Sequence, residues 1–469
     1  MWNKYFKDIR PSDYKDPSLK RQVKLLRYLD EVLLEEDKLK QLTELKTKMI
    51  KMYNMAKICP FTKKNCDLSK DGIKESDYSD KGAYWREAYE DPNFMENLDD
   101  LWTQVEPLYA ELHKYLSIKA KQTFGSRIDI SDGLIPDHIL VITAKDAITP
   151  FRNVSGMEVD PVLKQQRYTV IDLFMIAEEF FLSMGLMRMD ISYNEQAGAM
   201  ITNPKDGRKV LCHANSWTLC DGNTYLIKMC AKVAFADLIT IHHEMGHIQY
   251  YMQYKHQPYI FREGANPGFH EAIGDAIALS VITPDHLKKI YILRNYEVSE
   301  QGTINALMAM AMEKVMSLPF DFILDKWRWE VFSGAVPENK WNSRWWEYKM
   351  KYEKIKPPVK RSDETDFDPG IIMHVAAGVP YISDGLKLGC SKHWSETLEI
   401  MTGSKKLSAE PILEYFEPLY KFLKAENEKY EYYLRPQPKP NICDLEFKGR
   451  MSQRSKIRND PPFACIQKH

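Results

Sequence analysis

The chain has 469 residues, 44% of them hydrophobic and 28% charged, with a formal net charge of -1. This is a globular composition, long enough for a large core, and its charge balance excludes a strong electrostatic pull to nucleic acid or an anionic membrane. The most apolar stretch, Leu173 to Met187, is broken by Glu178 and Glu179, so no transmembrane helix is expected, and MWNKYFKDIRPSDYKD lacks the apolar segment of a signal peptide.

In chain order, Leu, Met and Tyr at helical spacing among Lys and Glu predict an amphipathic helix or helix pair over 17–57. Helices follow over 82–124, with Trp85, Tyr89, Leu98, Leu101 and Leu108 apolar. A short β-like run occupies Ile139 to Thr143, and another helix is predicted over 166–187. Arg208 to Ser216 and Thr224 to Lys228 flank Asp221-Gly222 and read as a β-hairpin. A helix is predicted from about Phe235 to Tyr254. Asn266 then Pro267 starts the next one, as N-cap and first helical position, and it ends near Ser280. Helical stretches recur over 303–334, 339–354 and 394–434, with Trp327, Trp329, Trp345 and Trp346 as core residues. Residues 435–469, rich in Pro, Lys and Arg, read as a poorly ordered basic tail. The fold class is predominantly α: one domain over 1–434 with a small β-hairpin.

Cys59 and Cys66 bracket a short loop, and Cys212 and Cys230 lie opposite each other across the predicted hairpin. Both pairs read as disulfides, which favours an oxidising compartment. Cys220, Cys390, Cys443 and Cys465 show no metal-ligand spacing, and Asn153-Val154-Ser155 is a permissive glycosylation sequon at Asn153.

The predicted 235–254 helix carries His243-Glu244-Met245-Gly246-His247, an HExxH pentad. Positions i and i+4 share a helix face, so both imidazoles can reach one ion, and Glu244 can contact a water on that ion. Two nitrogens, a third ligand and an open position make a catalytic zinc site. The third ligand could come from Glu263, His270 or Glu271. Asp275, four residues after Glu271 and on its face, could accept an imidazole N–H, which favours Glu271 as ligand and Asp275 as support.

HHEMGHIQYYMQY followed by REGANPGFHEAIGD resembles the angiotensin-converting enzyme family of zinc peptidyl-dipeptidases. GRKVLCHANSW, TPDHLKKIYIL, KWRWEVFSG, RWWEYKMKYE, DFDPG and LKLGCSKHW carry the same likeness, which runs from about residue 50 to about 432. The resemblance implies a gluzincin-type, almost all-helical domain with a deep central cleft and Zn(2+) at its floor. It implies an extracellular protein, secreted or membrane-anchored, that removes C-terminal dipeptides from oligopeptides with a free C-terminus. It puts zinc ligands at His243, His247 and Glu271, the general base at Glu244 and the supporting acid at Asp275. The family's CHASAW hairpin edge appears as Cys212-His213-Ala214-Asn215-Ser216-Trp217, with His213 and Ala214 contacting substrate. The transition-state histidine falls on His374 and a substrate-carboxylate position on Tyr381.

Other family positions differ. Ile372 stands where the family has a carboxylate-binding lysine, and Lys349 stands for an arginine of a chloride site. Ser383-Asp384-Gly385 replaces the segment that supplies the oxyanion tyrosine and a second chloride-site arginine. The glutamine-bearing helix after His138 is shortened. The water-activating set is complete, while these changes weaken the case for a bound chloride and for firm anchoring of a substrate C-terminus. An alternative expectation is therefore a catalytically impaired zinc-binding member that acts as a peptide-binding protein.

Overall fold

The computed structural model describes residues 10–26, 80–151, 159–207, 210, 212–219, 221–293, 297–372, 375 and 391–434. Most of them are helical. Helix α1 (Pro17–Leu26) is moored by Arg21 and Lys24, which both bond Glu90. Helix α2 (Lys81–Glu87) starts on Asp80, whose side chain accepts from the Ala83 amide. The chain then breaks at Glu90, which has φ 51°, before α3 (Phe94–Phe124), 31 residues long. Helices α2 and α3 thus fill the region read as helices over 82–124, and the break between them is marked in the sequence by Asp91-Pro92.

Strand β1 (Ile135–Pro136) leads into α4 (Asp137–Ala147). The β-like reading of Ile139 to Thr143 is overturned here. Ile139 and Thr143 are buried at i and i+4, with Ala147 continuing the same face at i+8, and the Thr143 hydroxyl bonds the Ile139 carbonyl. That is a helical face, so tertiary packing overrides local β preference. Short α5 (Val159–Gln165) precedes α6 (Val170–Ser183), narrower than the predicted 166–187 because Thr169 and Asp172 form a capping box.

The hairpin is present as β2 (Asn215–Thr218) and β3 (Tyr225–Lys228), antiparallel with Ser216 opposite Ile227. Its first strand begins later than Arg208. The turn is organised by Asp221, which accepts from the Asn223 and Thr224 amides and the Thr224 hydroxyl, with Gly222 at φ 78°. The Cys212–Cys230 disulfide closes the open end.

Helix α7 (Phe235–Tyr254) follows, then α8 (Phe269–Val281). Asn266 does not cap α8 directly. Its side chain accepts from the Gly268 amide in the preceding turn, and α8 begins two residues beyond Pro267. Helix α9 (Pro284–Lys289) follows, and α10 (Glu300–Met310) runs into a π-helical turn, Ala311–Val315, before α11 (Leu318–Ser333). Helix α12 (Trp341–Tyr348) ends in a second π turn, Lys349–Glu353, and strand β4 (Ile355–Lys356) pairs in parallel with β1. The predicted 394–434 helix is three pieces: α13 (Trp394–Thr402), α14 (Glu410–Tyr415) and α15 (Glu417–Tyr430).

Two apolar cores flank α7. The larger gathers α3, α10, α11, α12 and α15, and includes all four expected tryptophans, Trp327, Trp329, Trp345 and Trp346. The smaller joins α6, the hairpin and the Ile241, Met245 and Ile248 face of α7. A third cluster ties Tyr250 and Tyr254 of α7 to Phe269 and Ile273 of α8 and Trp394 and Leu398 of α13. A helix buried against several layers places any side chain it carries with little freedom.

Candidate metal centre

Helices α7 and α8 approach closely because glycines face each other. A Cβ on Gly246 would lie 3.2 Å from the Gly274 Cα, and a Cβ on Gly274 would lie 2.5 Å from His243 Nδ1. The second distance is impossible for a real side chain, so α8 can lie against the His243 ring only with glycine at 274.

This approach brings His243, His247 and Glu271 together, with a potential ligand atom of each within 4.8 Å of the others. His243 Nε2 is 3.1 Å from His247 Nε2 and 3.1 Å from Glu271 Oε2, while His247 Nε2 is 3.8 Å from Glu271 Oε1. Zinc–nitrogen bonds of about 2.0–2.1 Å in a tetrahedron would separate ligand atoms by roughly 3.3 Å. Two imidazole nitrogens facing each other beside a carboxylate fit a shared cation, so the residues present suit zinc.

The far sides of both rings are also held. His243 Nδ1 is 3.1 Å from Asp275 Oδ1, and the Lys314 ammonium donates to the same oxygen at 2.9 Å. Asp275, paired with that cation, accepts the Nδ1 proton and leaves the Nε2 lone pair for a metal. His247 Nδ1 lies 3.3 Å from His270 Nδ1, and His270 Nε2 lies 3.0 Å from the Tyr254 hydroxyl. His270, weighed above as a ligand, therefore stands behind one, and Glu263 takes no place in the cluster.

The electrostatics separate the two imidazoles. Burial pulls His243 down, but its bonds to Asp275 and Glu271 outweigh burial and push it up to about 9. Burial dominates at His247, which falls to about 4, and at His270, which falls to about 3. Without metal, His243 is the charged member and the others are neutral.

Glu244 is 5% exposed. Burial raises its pKa, opposed chiefly by the hydrogen bond from Ser216. The Ser216 hydroxyl lies 2.7 Å from Glu244 Oε2 and 2.9 Å from the Glu244 carbonyl oxygen. Beside it on the hairpin edge, exposed His213 has Nδ1 2.8 Å from the Ala214 carbonyl, and Ala214 packs on the smaller core. Lys349 faces Glu353 at 3.5 Å and Asp137 at 3.7 Å. Ile372 packs against the larger core. His374, Tyr381, Asn153, the Cys59/Cys66 pair and the 435–469 tail lie outside the described residues. Among the described residues no helix is long and apolar enough to cross a membrane.

Sequence reasoning missed Ser216, Lys314 and the Gly274 contact. Alternation along β2 could have put Ser216 on the face away from Trp217. Nothing local marks Lys314, since a π turn rotates it onto Asp275.

Comparison with known proteins converges on one family. The angiotensin-converting enzyme family profile matches residues 1–75, 63–385 and 382–434. The angiotensin-converting enzyme of Mesocricetus auratus is 39% identical over 410 residues, covering 77% of this chain and 31% of that protein. The Rattus norvegicus enzyme is 33% identical over 519 residues, covering 92% of this chain and 39% of that protein. The Theromyzon tessulatum enzyme is 36% identical over 390 residues, covering 73% and 63%. The chain thus spans well under half the length of these mammalian relatives.

Proposed function

The chain belongs to the angiotensin-converting enzyme family, a family of zinc peptidyl-dipeptidases, and from that premise we propose that it is a zinc metallopeptidase releasing C-terminal dipeptides from oligopeptides. The observation that carries this reading is the convergence of His243, His247 and Glu271 beside the buried carboxylate of Glu244. His243, His247 and Glu271 would hold the zinc. When bound, zinc supplies Lewis acidity and lowers the pKa of a coordinated water to about 7.

The chain's own residues do the rest. Glu244 takes a proton from the attacking water at its buried carboxylate and later returns it to the departing amine. Asp275 holds the His243 ring by its Nδ1 proton and, with Lys314, neutralises local charge. His213 and Ala214, on the hairpin edge, bind the peptide backbone alongside the scissile bond. His374 would donate to the tetrahedral oxyanion, and Tyr381 would bind the substrate's terminal carboxylate. The 212–230 disulfide supports an extracellular setting.

One observation favours the second reading, a catalytically impaired peptide-binding member. Ile372, where the family has its carboxylate-binding lysine, lies against apolar core. The two readings separate on a peptide with a free C-terminus and its amidated twin. The peptidase reading predicts chelator-sensitive dipeptide release from the free form alone. Zinc bound without any cleavage would leave only the peptide-binding reading.

A further inference from the structure

The Glu244 carboxylate has a partner that the family pattern does not supply. CHASAW has alanine where this chain has Ser216, so the hydroxyl 2.7 Å from Glu244 Oε2 is a feature of this chain. We propose that Ser216 is a positioning residue that clamps the Glu244 carboxylate in the orientation needed to take a proton from water, a role that rests on the peptidase reading above.

The clamp is built from a rigid element. Ser216 sits mid-strand in β2, paired with Ile227, and its carbonyl lies 3.4 Å from the Tyr251 hydroxyl of α7. The disulfide closes the hairpin end, 18 residues apart in sequence. Alternation along the strand turns Ser216 to α7 while Trp217, 55% exposed, faces outward. The hydroxyl therefore meets Glu244 from a fixed backbone, and it meets two oxygens of that residue, Oε2 at 2.7 Å and the carbonyl at 2.9 Å. One hydroxyl has one proton and two lone pairs. With Glu244 ionised, the proton goes to the carboxylate. The proton taken from water goes to the other carboxylate oxygen, so the Ser216 hydroxyl keeps donating to Oε2 after Glu244 has accepted it. Both forms of the base keep a partner, and the carboxylate need not reorient between them. Without the hydroxyl, the side chain is free to change rotamer about its terminal torsions.

The test compares wild type with Ser216→Ala and Ser216→Thr, all zinc-loaded, by steady-state kinetics on a C-terminally free peptide and by crystal structures. Loss of a hydrogen bond to a charged group corresponds to roughly ten- to a hundredfold, and a water in the vacated space recovers part of it. The expected result is a kcat about three- to tenfold lower in Ser216→Ala with KM unchanged, near-complete rescue in Ser216→Thr, equal zinc content in all three, and a displaced Glu244 carboxylate in the alanine variant only. A Glu244 carboxylate that stays in place in Ser216→Ala, or a kcat equal to wild type, overturns the proposal. If wild type itself turns over no peptide, the peptidase reading fails, and the Glu244 position in the two crystal structures still decides the clamp.

Discussion

The site's chemistry turns on which imidazole carries a proton before metal arrives. His243, lifted to about 9 against burial by Asp275 and Glu271, is charged at neutral pH, whereas burial keeps His247 neutral. Zinc needs a deprotonated nitrogen from each. Metal uptake should therefore expel about one proton at pH 7. The dissociation constant for zinc should fall about tenfold per pH unit as pH rises from 6 towards 9. Chelator competition across that range measures it. A flat profile would mean that His243 is neutral in the metal-free protein. Residues of this kind were the most legible part of the sequence. His243 and His247 are fixed by i, i+4 spacing within one helix, and the Glu271/Asp275 pair by the same spacing in the next. Ser216 was not legible as a partner of Glu244. The two are 28 residues apart, and their meeting depends on which face of the hairpin lies on α7.

Helices α7 and α8 form the site through a contact that only glycine permits. A methyl at 274 would collide with the His243 ring at Nδ1, the same atom that Asp275 holds. Gly274→Ala should therefore force the ring or the helix aside. The expected losses are at least tenfold in zinc affinity and about 1–3 kcal/mol in stability, the range for overpacking a filled interior. Metal titration and denaturant unfolding measure the two losses. Wild-type affinity in Gly274→Ala would show that α8 can shift without moving His243. At this scale the sequence was partly legible. The bounds read for α7, Phe235 to Tyr254, are those it has in the structure. The helical state of Ile139 to Thr143 was hidden because β-branched residues carry a strand signal until packing overrides it. The π turns that carry Lys314 and Lys349 were hidden too. Each shifts the helix phase by one residue, seen where the Met316 amide bonds the Ala311 carbonyl, and no composition cue marks such a shift.

The molecule as a whole holds α7 between separate apolar cores, and buried titratable groups in the larger core make its stability depend on pH. His113 of α3, 6% exposed, bonds the Lys354 carbonyl beside β4 at 3.0 Å, and burial lowers it from 6.5 to about 4. Its folded pKa is below its unfolded one. Its contribution is therefore complete above about 6.5 and is lost as pH falls towards 4. The shift corresponds to on the order of 3 kcal/mol. Asp321 and Glu353, raised to about 7 by burial, act in the opposite sense and stabilise as pH falls below 7. The wild-type profile alone would mix these effects. The difference in unfolding free energy between wild type and His113→Gln isolates His113, and it should shrink from pH 7 to pH 4. A constant difference would show that His113 is not buried neutral. The helical class and the four core tryptophans were legible from periodicity and aromatic content. Their division between several clusters was not, because it depends on contacts distant in sequence. All of this packing serves one placement, a carboxylate beside a three-residue metal site, and the function proposed for it rests on Glu244. The most direct measurement is zinc stoichiometry and product mass on a C-terminally free peptide for wild type and Glu244→Gln. The account predicts one zinc per chain in both proteins, with dipeptide released by wild type and none by Glu244→Gln. Equal dipeptide release by the two proteins, or wild type that binds no zinc, would contradict it.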